Sequence, residues 1–125
     1  MGGMNVWLAV FLGGGLGSVT RFAITRGFLM LDVRGAFPWA TFTANMVSTA
    51  LLALLVLRWQ ADLAGRDAVK AFLAVGFCGG FSTFSTFSYE NFLLLREGLY
   101  TQAVLNALVS VVAGALLFLF LADRS

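Results

Sequence analysis

This chain consists mostly of four long apolar stretches, which span residues 4–30, 37–57, 68–95 and 100–122. Each stretch reaches the ~20 residues that an α-helix needs to cross the ~30 Å hydrocarbon core of a bilayer. With 60% hydrophobic and 11% charged residues, the chain has too little charge to cover the surface of a soluble domain. The sequence therefore predicts an all-α membrane protein, a single domain over residues 1–125 with four transmembrane helices.

The composition excludes several classes of function. Histidine is absent and Cys78 is the single cysteine, which rules out an intrachain disulfide, a His/Cys metal site and the nucleophile–histidine pairs of most hydrolases. A net charge of +2 is too small to indicate a nucleic-acid-binding protein. The N-terminus lacks the cationic region of a signal peptide, so we expect the first stretch to be retained as a membrane helix. We therefore expect the chain to associate with the lipid bilayer, to bind no nucleic acid and to have no enzymatic activity.

The cationic residues favour neither orientation in the membrane. One side of a four-span topology carries Arg58, Arg66, Lys70 and Arg124, and the other carries Arg21, Arg26, Arg34 and Arg96. An even split gives no preference under the positive-inside rule. Two interpretations stay open: a few charges do not predict a fixed topology, or the chain inserts both ways and pairs with its inverted copy.

The third stretch is too long and too rich in glycine for one regular helix. As a continuous helix, residues 68–95 would measure ~42 Å, which exceeds the membrane core. Gly76, Gly79 and Gly80 lie near its middle, and clustered glycines weaken a helix. We therefore predict a break in the third helix over residues 79–82. Backbone groups freed by such a break must be buried in protein or bind ions.

Residues 79–88 form the most polar segment inside an apolar stretch. After the glycine pair, Phe81, Phe84 and Phe87 recur every three residues, and five hydroxyl side chains fill the positions between and after them. Hydroxyls on every side of a segment cannot all face lipid. This run is therefore the best candidate for lining a polar pathway.

The second and fourth stretches each carry a line of polar or small side chains on one helix face. The lines consist of Thr41, Asn45 and Ser48, and of Asn106, Ser110 and Gly114. Asn45 lies about 10 Å inside its span, where a carboxamide needs partners. Hydrogen bonds between packed helices are the ordinary explanation. The alternative is that both lines border the same polar pathway as the hydroxyls of the third stretch.

Arg21 and Glu90 are ionisable residues in or at the ends of apolar stretches. Gly13, Gly17 and Arg21 share one face of the first stretch, and small residues at this spacing predict close helix packing. The Arg21 guanidinium either extends to the membrane interface or anchors a vestibule that attracts anions. Glu90 is either a proton carrier or an interfacial residue.

Three groups of residues together resemble the Fluc (CrcB) family of fluoride channels. They are Gly13, Gly17 and Arg21-Phe22, then Thr43-Ala44-Asn45, then the run Gly76-Phe77-Cys78-Gly79-Gly80-Phe81-Ser82-Thr83-Phe84-Ser85-Thr86-Phe87-Ser88. The resemblance covers nearly the whole chain in length, number of spans and order of motifs. It implies a passive fluoride channel built as an antiparallel, dual-topology homodimer with two pores. It also implies a place in the inner membrane of a bacterium, where the channel protects the cell from fluoride.

The resemblance implies roles for individual residues. The implied fluoride pore consists of Asn45, Phe84, Ser85, Thr86, Phe87 and Ser110. Arg21 matches a vestibule arginine, and the backbone carbonyls of Gly79 and Ser82 are implied to hold a structural Na⁺ at the dimer interface. Two residues depart from the family pattern. Phe81 is bulkier than the side chain expected there, and Asn106 stands where some members carry an aromatic residue.

Neutral hydrogen-bond donors suit a small and strongly hydrated anion. Fluoride enters a pore only where donors replace the water that it loses, and a fixed cation in mid-pore would bind it too tightly to release it. The Asn45 carboxamide and the hydroxyls avoid that difficulty, and the ring edges of Phe84 and Phe87 carry partial positive charge. One chain of four helices is too small to enclose such a pathway, which favours a dimer.

The main alternative is a proton-coupled exporter of the small multidrug-resistance type. Those exporters also have four spans, but they need a carboxylate in the first span, and residues 4–30 contain no Asp or Glu. Glu90 is the one substitute. A third alternative, a membrane scaffold without transport activity, does not account for the hydroxyl density of the third stretch.

Overall fold

The computed structural model of the protein describes residues 5–31, 35 and 37–123, and all regular structure in these ranges is helical. The first two spans are α1 (Val6–Met30) and α2 (Trp39–Leu57). The third span comprises α3 (Asp67–Lys70), a π-helical segment (Ala71–Cys78), α4 (Gly79–Phe81) and α5 (Phe84–Arg96), and the fourth is α6 (Tyr100–Asp123). Met4 of the first predicted stretch, and Arg34 and Arg124 of the charge count, lie outside the described residues.

The helices confirm the four predicted spans. Four helical runs are long and apolar enough to cross a membrane, and each begins and ends within two residues of the predicted stretch. The side chain of Asn5 caps α1 by accepting a hydrogen bond of 2.7 Å from the Trp7 amide. α2 begins directly after Pro38, whose carbonyl accepts from the Phe42 amide at 3.1 Å. The length of each apolar stretch and the residues at its start therefore determine where the spans lie.

The third span is broken as predicted, but the break lies later than the glycine cluster. Gly79 and Gly80 remain helical in α4. Ser82 and Thr83 have extended backbones, with φ and ψ of −80° and 155° for Ser82 and of −150° and 118° for Thr83. The predicted position of the break, residues 79–82, is therefore wrong for all but its last residue.

Glycines of the third span serve close helix packing instead. A Cβ on Gly76 would lie 2.8 Å from the carbonyl oxygen of Val10, and a Cβ on Gly80 would collide with the backbone of Gly14. Because only a glycine leaves room at these points, the third span and α1 meet backbone to backbone. Gly79 differs from its neighbour, since a Cβ there would meet no atom within 4 Å.

α1 contributes its own glycines to the same contact. A side chain on Gly13 or on Gly17 would collide with the carbonyl group of Phe72 or of Phe77, respectively. This confirms the close packing predicted from the glycine spacing of the first stretch. α1 accordingly runs along the π-helical segment and α4, whereas α2 touches α1, the third span and α6. α5 packs against α6, so the break in the third span faces α2 and α6.

Candidate functional site

The polar line of α2 bonds to the third span on both sides of the break. Ser48 Oγ donates to the Cys78 carbonyl at 2.8 Å, before the break. Thr41 Oγ1 donates to Glu90 Oε2 at 3.0 Å, after the break. Asn45 lies between them on the same helix face and reaches the break itself. All three side chains therefore link packed helices, as the ordinary explanation of such a line requires.

The Asn45 carboxamide takes the place of a helical hydrogen bond at the break. Its Oδ1 accepts from the Thr83 amide at 2.8 Å, and its Nδ2 donates to the Thr83 carbonyl at 3.4 Å. In an unbroken helix the Thr83 amide would instead bond to the carbonyl of Gly79. An unsatisfied amide inside a membrane costs several kcal/mol, so Asn45 makes the break tolerable. The second N–H of the carboxamide takes part in neither bond.

Thr83 also caps the second half of the span. Its Oγ1 accepts from the Thr86 amide at 3.2 Å. In an unbroken helix that amide would bond to the carbonyl of Ser82. The break therefore deprives the carbonyls of Gly79 and Ser82 of the donors that a continuous helix supplies. These are the two carbonyls that the resemblance implies as Na⁺ ligands.

An open groove of about 280 Å³ lies beside the break. Its lining residues are Asn45, Met46, Thr49, Ser82, Thr83, Phe84, Phe87, Ser110 and Val111. α2, α5 and α6 thus bring together four of the six predicted pore residues, namely Asn45, Phe84, Phe87 and Ser110. The rings of Phe84 and Phe87 lie 5.9 Å apart between centroids and are tilted by 35°. Because Phe84 is 79% exposed, one chain leaves this groove open on the side of that ring.

The other two predicted pore residues lie outside the lining of this groove. Thr86 lines another cavity of about 170 Å³ together with Ser18, Arg21 and Thr41. The predicted vestibule arginine therefore shares a space with Thr86 and not with the two phenyl rings. Ser85 is exposed and lines neither cavity, and its hydroxyl lies 3.4 Å from Thr83 Oγ1.

Glu90 lies within the helix packing. Its Oε2 accepts from Thr41, and its buried Oε1 has no hydrogen-bond partner among the described residues. The side chain also lines a cavity of about 230 Å³ with Thr25 and Trp39. Thr41 connects this carboxyl group to the cavity that Arg21 lines. The sequence left the role of Glu90 open, and the geometry places its carboxyl group between helices.

A pair of carboxamides joins α5 to α6, and sequence reasoning did not connect them. Asn106 Nδ2 donates to Asn91 Oδ1 at 2.7 Å, and Asn106 Oδ1 accepts from Ser110 Oγ at 3.4 Å. The spacing of Asn106 and Ser110 is a visible signal, because residues four apart share a helix face. The partner Asn91 has no such signal, since it depends on how α5 and α6 align.

Every polar group that lines the groove is uncharged. None of its lining residues is Asp, Glu, Lys or Arg. Several hydroxyls are already engaged with the protein, since Ser82 Oγ donates to the Cys78 carbonyl at 2.9 Å and Thr49 Oγ1 donates to the Asn45 carbonyl at 2.7 Å. The Ser110 hydroxyl donates to Asn106 Oδ1 over a longer distance of 3.4 Å. The groove can therefore offer an anion a carboxamide N–H and two ring edges, and the Ser110 hydroxyl once it turns away from Asn106, with no fixed charge to trap the ion.

Comparison with known proteins places these residues in a known family. The family model described as "CrcB-like protein, Camphor Resistance (CrcB)" matches residues 8–122, a region that contains the groove and nearly all of the four spans. A protein of Pyrococcus furiosus named "Fluoride-specific ion channel FluC" is 42% identical over 106 residues, which cover 83% of this chain and 82% of that relative. Relatives of the same name from Vibrio campbellii and Geobacter sulfurreducens are 37% identical over 112 residues and 39% identical over 108 residues. These alignments cover 90% of this chain and 87% of the Vibrio protein, and 86% of this chain and 86% of the Geobacter protein.

Proposed function

This chain belongs to the CrcB family, and on that premise we propose that it conducts fluoride passively through the membrane that its four helices span. The relatives compared above are named as fluoride-specific ion channels, so the chain is a multi-pass membrane protein and not an enzyme. The observation that carries the proposal is the uncharged groove where Asn45, Ser110, Phe84 and Phe87 converge. A proton-coupled exporter is not favoured, because the described part of the first span holds no carboxylate.

The chemistry of the groove suits an ion that must bind and then leave. Fluoride gives up strongly held water, so donors have to replace that water along its path. The free N–H of Asn45 is a neutral donor, and the Ser110 hydroxyl becomes one when it turns away from Asn106 Oδ1. The ring edges of Phe84 and Phe87 add partial positive charge. Since no fixed cation lines the groove, binding stays weak enough for release.

A second, inverted copy of the chain would close the groove. The 79% exposure of Phe84 leaves polar groups such as Asn45 and Ser110 beside an opening, and such groups are unfavourable next to lipid. The even split of the cations supports insertion in both orientations. We therefore include in the proposal an antiparallel homodimer with two pores. Its place is the inner membrane of a bacterium, where it relieves the cell of fluoride.

The break offers ligands for one Na⁺ at the interface of this dimer. The carbonyls of Gly79 and Ser82 lack their helical donors, because the amides of Thr83 and Thr86 bond elsewhere. Unwound backbone carbonyls in a membrane helix are suitable ligands for Na⁺. Two carbonyls from each copy would supply four ligands across a two-fold axis. When bound, the ion supplies positive charge that compensates these carbonyls and joins the two chains.

A fluoride efflux assay tests the function directly. The purified protein is placed in liposomes loaded with potassium fluoride, and a potassium ionophore relieves the charge that builds up. We expect rapid efflux at a fluoride electrode with no pH difference across the membrane, and far slower efflux of chloride. Transport that requires a proton gradient would contradict a channel and support the exporter.

Two substitutions test the role of the phenyl rings. Phe84→Ile and Phe87→Ile each remove a ring edge from the groove but keep an apolar side chain, so we expect efflux to fall to the rate of empty liposomes. Phe92→Ile is the matched control, because Phe92 lies on the same helix and is 52% exposed but does not line the groove. Gel filtration checks that each variant assembles like the wild type. Efflux at the wild-type rate in both test variants would remove the rings from the pathway.

A further inference from the structure

Asn106 is the largest fully buried side chain in the described part of the protein, with 1% exposure. It does not line the groove, so it does not contact an ion there. A carboxamide buried between membrane helices is unfavourable unless its polar groups are paired. The partners of Asn106 therefore decide what this residue does.

The bond to Asn91 sets the orientation of the Asn106 carboxamide. Asn91 Oδ1 can only accept, so Asn106 must direct Nδ2 towards it, as the bond of 2.7 Å shows. Because a carboxamide is planar, its Oδ1 then faces the other way, towards Ser110 at 3.4 Å. That oxygen is also only an acceptor, so the Ser110 hydroxyl must be the donor in this contact.

A serine hydroxyl has a single proton. While that proton is directed at Asn106, Ser110 presents lone pairs to the groove, and lone pairs repel an anion. An entering fluoride has to draw the proton away from Asn106 Oδ1, which then keeps no donor among the described residues. A buried acceptor that loses its donor is unfavourable, so this exchange opposes fluoride binding.

We propose that the Asn91–Asn106 pair is a positioning device that holds the Ser110 proton away from the groove and so weakens fluoride binding at Ser110. The proposal deepens the channel function above and depends on it. The Ser110–Asn106 contact is long, since hydroxyl donors usually lie about 2.7–2.8 Å from oxygen acceptors. It therefore restrains the Ser110 hydroxyl without preventing it from turning to donate a hydrogen bond to an anion. Weak binding of this kind helps an ion leave a pore quickly.

The concentration dependence of efflux tests the device. Asn106→Leu removes the competing acceptor at similar volume, so the Ser110 proton becomes free for fluoride. We expect the fluoride concentration that gives half-maximal efflux to fall about two- to tenfold, the factor expected for one net hydrogen bond, while the maximal rate stays equal or decreases. An unchanged or raised half-maximal concentration would overturn the proposal.

Two further variants separate positioning from a structural effect. In a Ser110→Ala background, Asn106→Leu should produce no additional shift, because the device acts only through the Ser110 hydroxyl. The double variant Asn91→Leu/Asn106→Leu removes both carboxamides, so no buried polar group is left without its partner. We expect this variant to show the same shift as Asn106→Leu, even where Asn106→Leu alone assembles poorly. A shift that persists without the Ser110 hydroxyl overturns the proposal. If the wild-type protein conducts but the variants show no change in the half-maximal fluoride concentration, this proposal alone is overturned. If the wild-type protein does not conduct, the channel function is overturned as well.

Discussion

Asn45 has two roles that place different demands on its side chain. Its carboxamide holds the Thr83 backbone with both oxygen and nitrogen, and the same group lines the groove. The first role favours any side chain that pairs well with an amide, and the second demands a donor without charge. A carboxamide of this length meets both requirements, so the position is more restricted than hydrogen bonding between helices alone would make it.

Asn45→Asp separates these two roles. The aspartate keeps an acceptor for the Thr83 amide, loses only the longer bond of 3.4 Å to the Thr83 carbonyl, and places a negative charge in the groove. Like charges 4 Å apart repel by roughly 4 kcal/mol near a protein surface, so we expect fluoride efflux from liposomes to fall at least about tenfold. Gln102→Glu is the matched control, since it makes the same amide-to-acid change on α6 away from the groove lining. Normal conduction by Asn45→Asp would limit Asn45 to helix packing.

At the scale of elements, the contact between α1 and the third span depends on glycines, which have no side chain to separate the two backbones. Four glycines, two on each element, leave no room for a Cβ at the crossing; they are Gly13, Gly17, Gly76 and Gly80. Such a contact is stabilised by close backbone packing and not by large apolar side chains. It fixes α4, and therefore the start of the break, relative to α1.

Gly17→Ala tests this crossing. The added methyl group would collide with the carbonyl of Phe77 and lie 2.8 Å from the Phe81 amide, both of them backbone groups that cannot rotate away. We expect a loss of about 1–3 kcal/mol in stability, measured as a lower melting temperature of the detergent-solubilised protein. Gly27→Ala on the same helix meets no atom within 4 Å, so helix propensity should leave it as stable as the wild type or slightly more stable. Equal melting of the two variants would show that the crossing tolerates side chains.

The elements also show what a single sequence can and cannot predict. The spans were predictable because their length and hydropathy are local properties of the chain. The break was misplaced because Gly79 and Gly80 were interpreted through helix propensity, whereas Gly80 is required by the backbone of Gly14. The groove residues Asn45 and Phe84 were identified from polarity and family resemblance together. The Asn91–Asn106 bond was not predictable, since it depends on the alignment of α5 with α6.

At the scale of the whole molecule, the orientation of the chain in the membrane affects function, because the proposed partner that closes the open groove is an inverted copy. If the channel needs two oppositely inserted copies, a protein biased to one orientation should conduct poorly. Gln60→Lys with Asp62→Lys adds cations to the loop after α2, and Glu97→Lys with Gln102→Lys adds them near the opposite end of the bundle. We expect low fluoride resistance in cells that express either variant alone and recovered resistance when both are expressed together.

Co-expression separates orientation from damage to the fold. Two variants that fail alone because they are misfolded would also fail together, whereas complementary orientations restore the inverted pair. Full resistance from a single biased variant, with its orientation checked by labelling an introduced cysteine from one side, would contradict the antiparallel dimer.

The proposed Na⁺ belongs to the same scale, because its ligands come from two copies. A ligand that binds only the assembled protein stabilises it by mass action. We therefore expect the melting temperature of the purified dimer to fall when sodium chloride is replaced by N-methylglucamine chloride at equal ionic strength. Fluoride should be left out of both samples, so that pore occupancy does not contribute. Identical melting in the two salts would argue against a cation at Gly79 and Ser82.

The glycine crossing has a consequence for how the protein is made. α1 is shaped to fit the backbone of a segment that begins more than thirty residues after α1 ends. At the ~5–20 residues per second of protein synthesis, α1 remains in the bilayer for seconds before its matching surface has been made. Its neighbour in the chain, α2, arrives first and offers α1 a smaller contact. The largest contact of α1 can therefore form only after α2 and the first half of the third span have been made, and until then the glycine face of α1 lacks its partner.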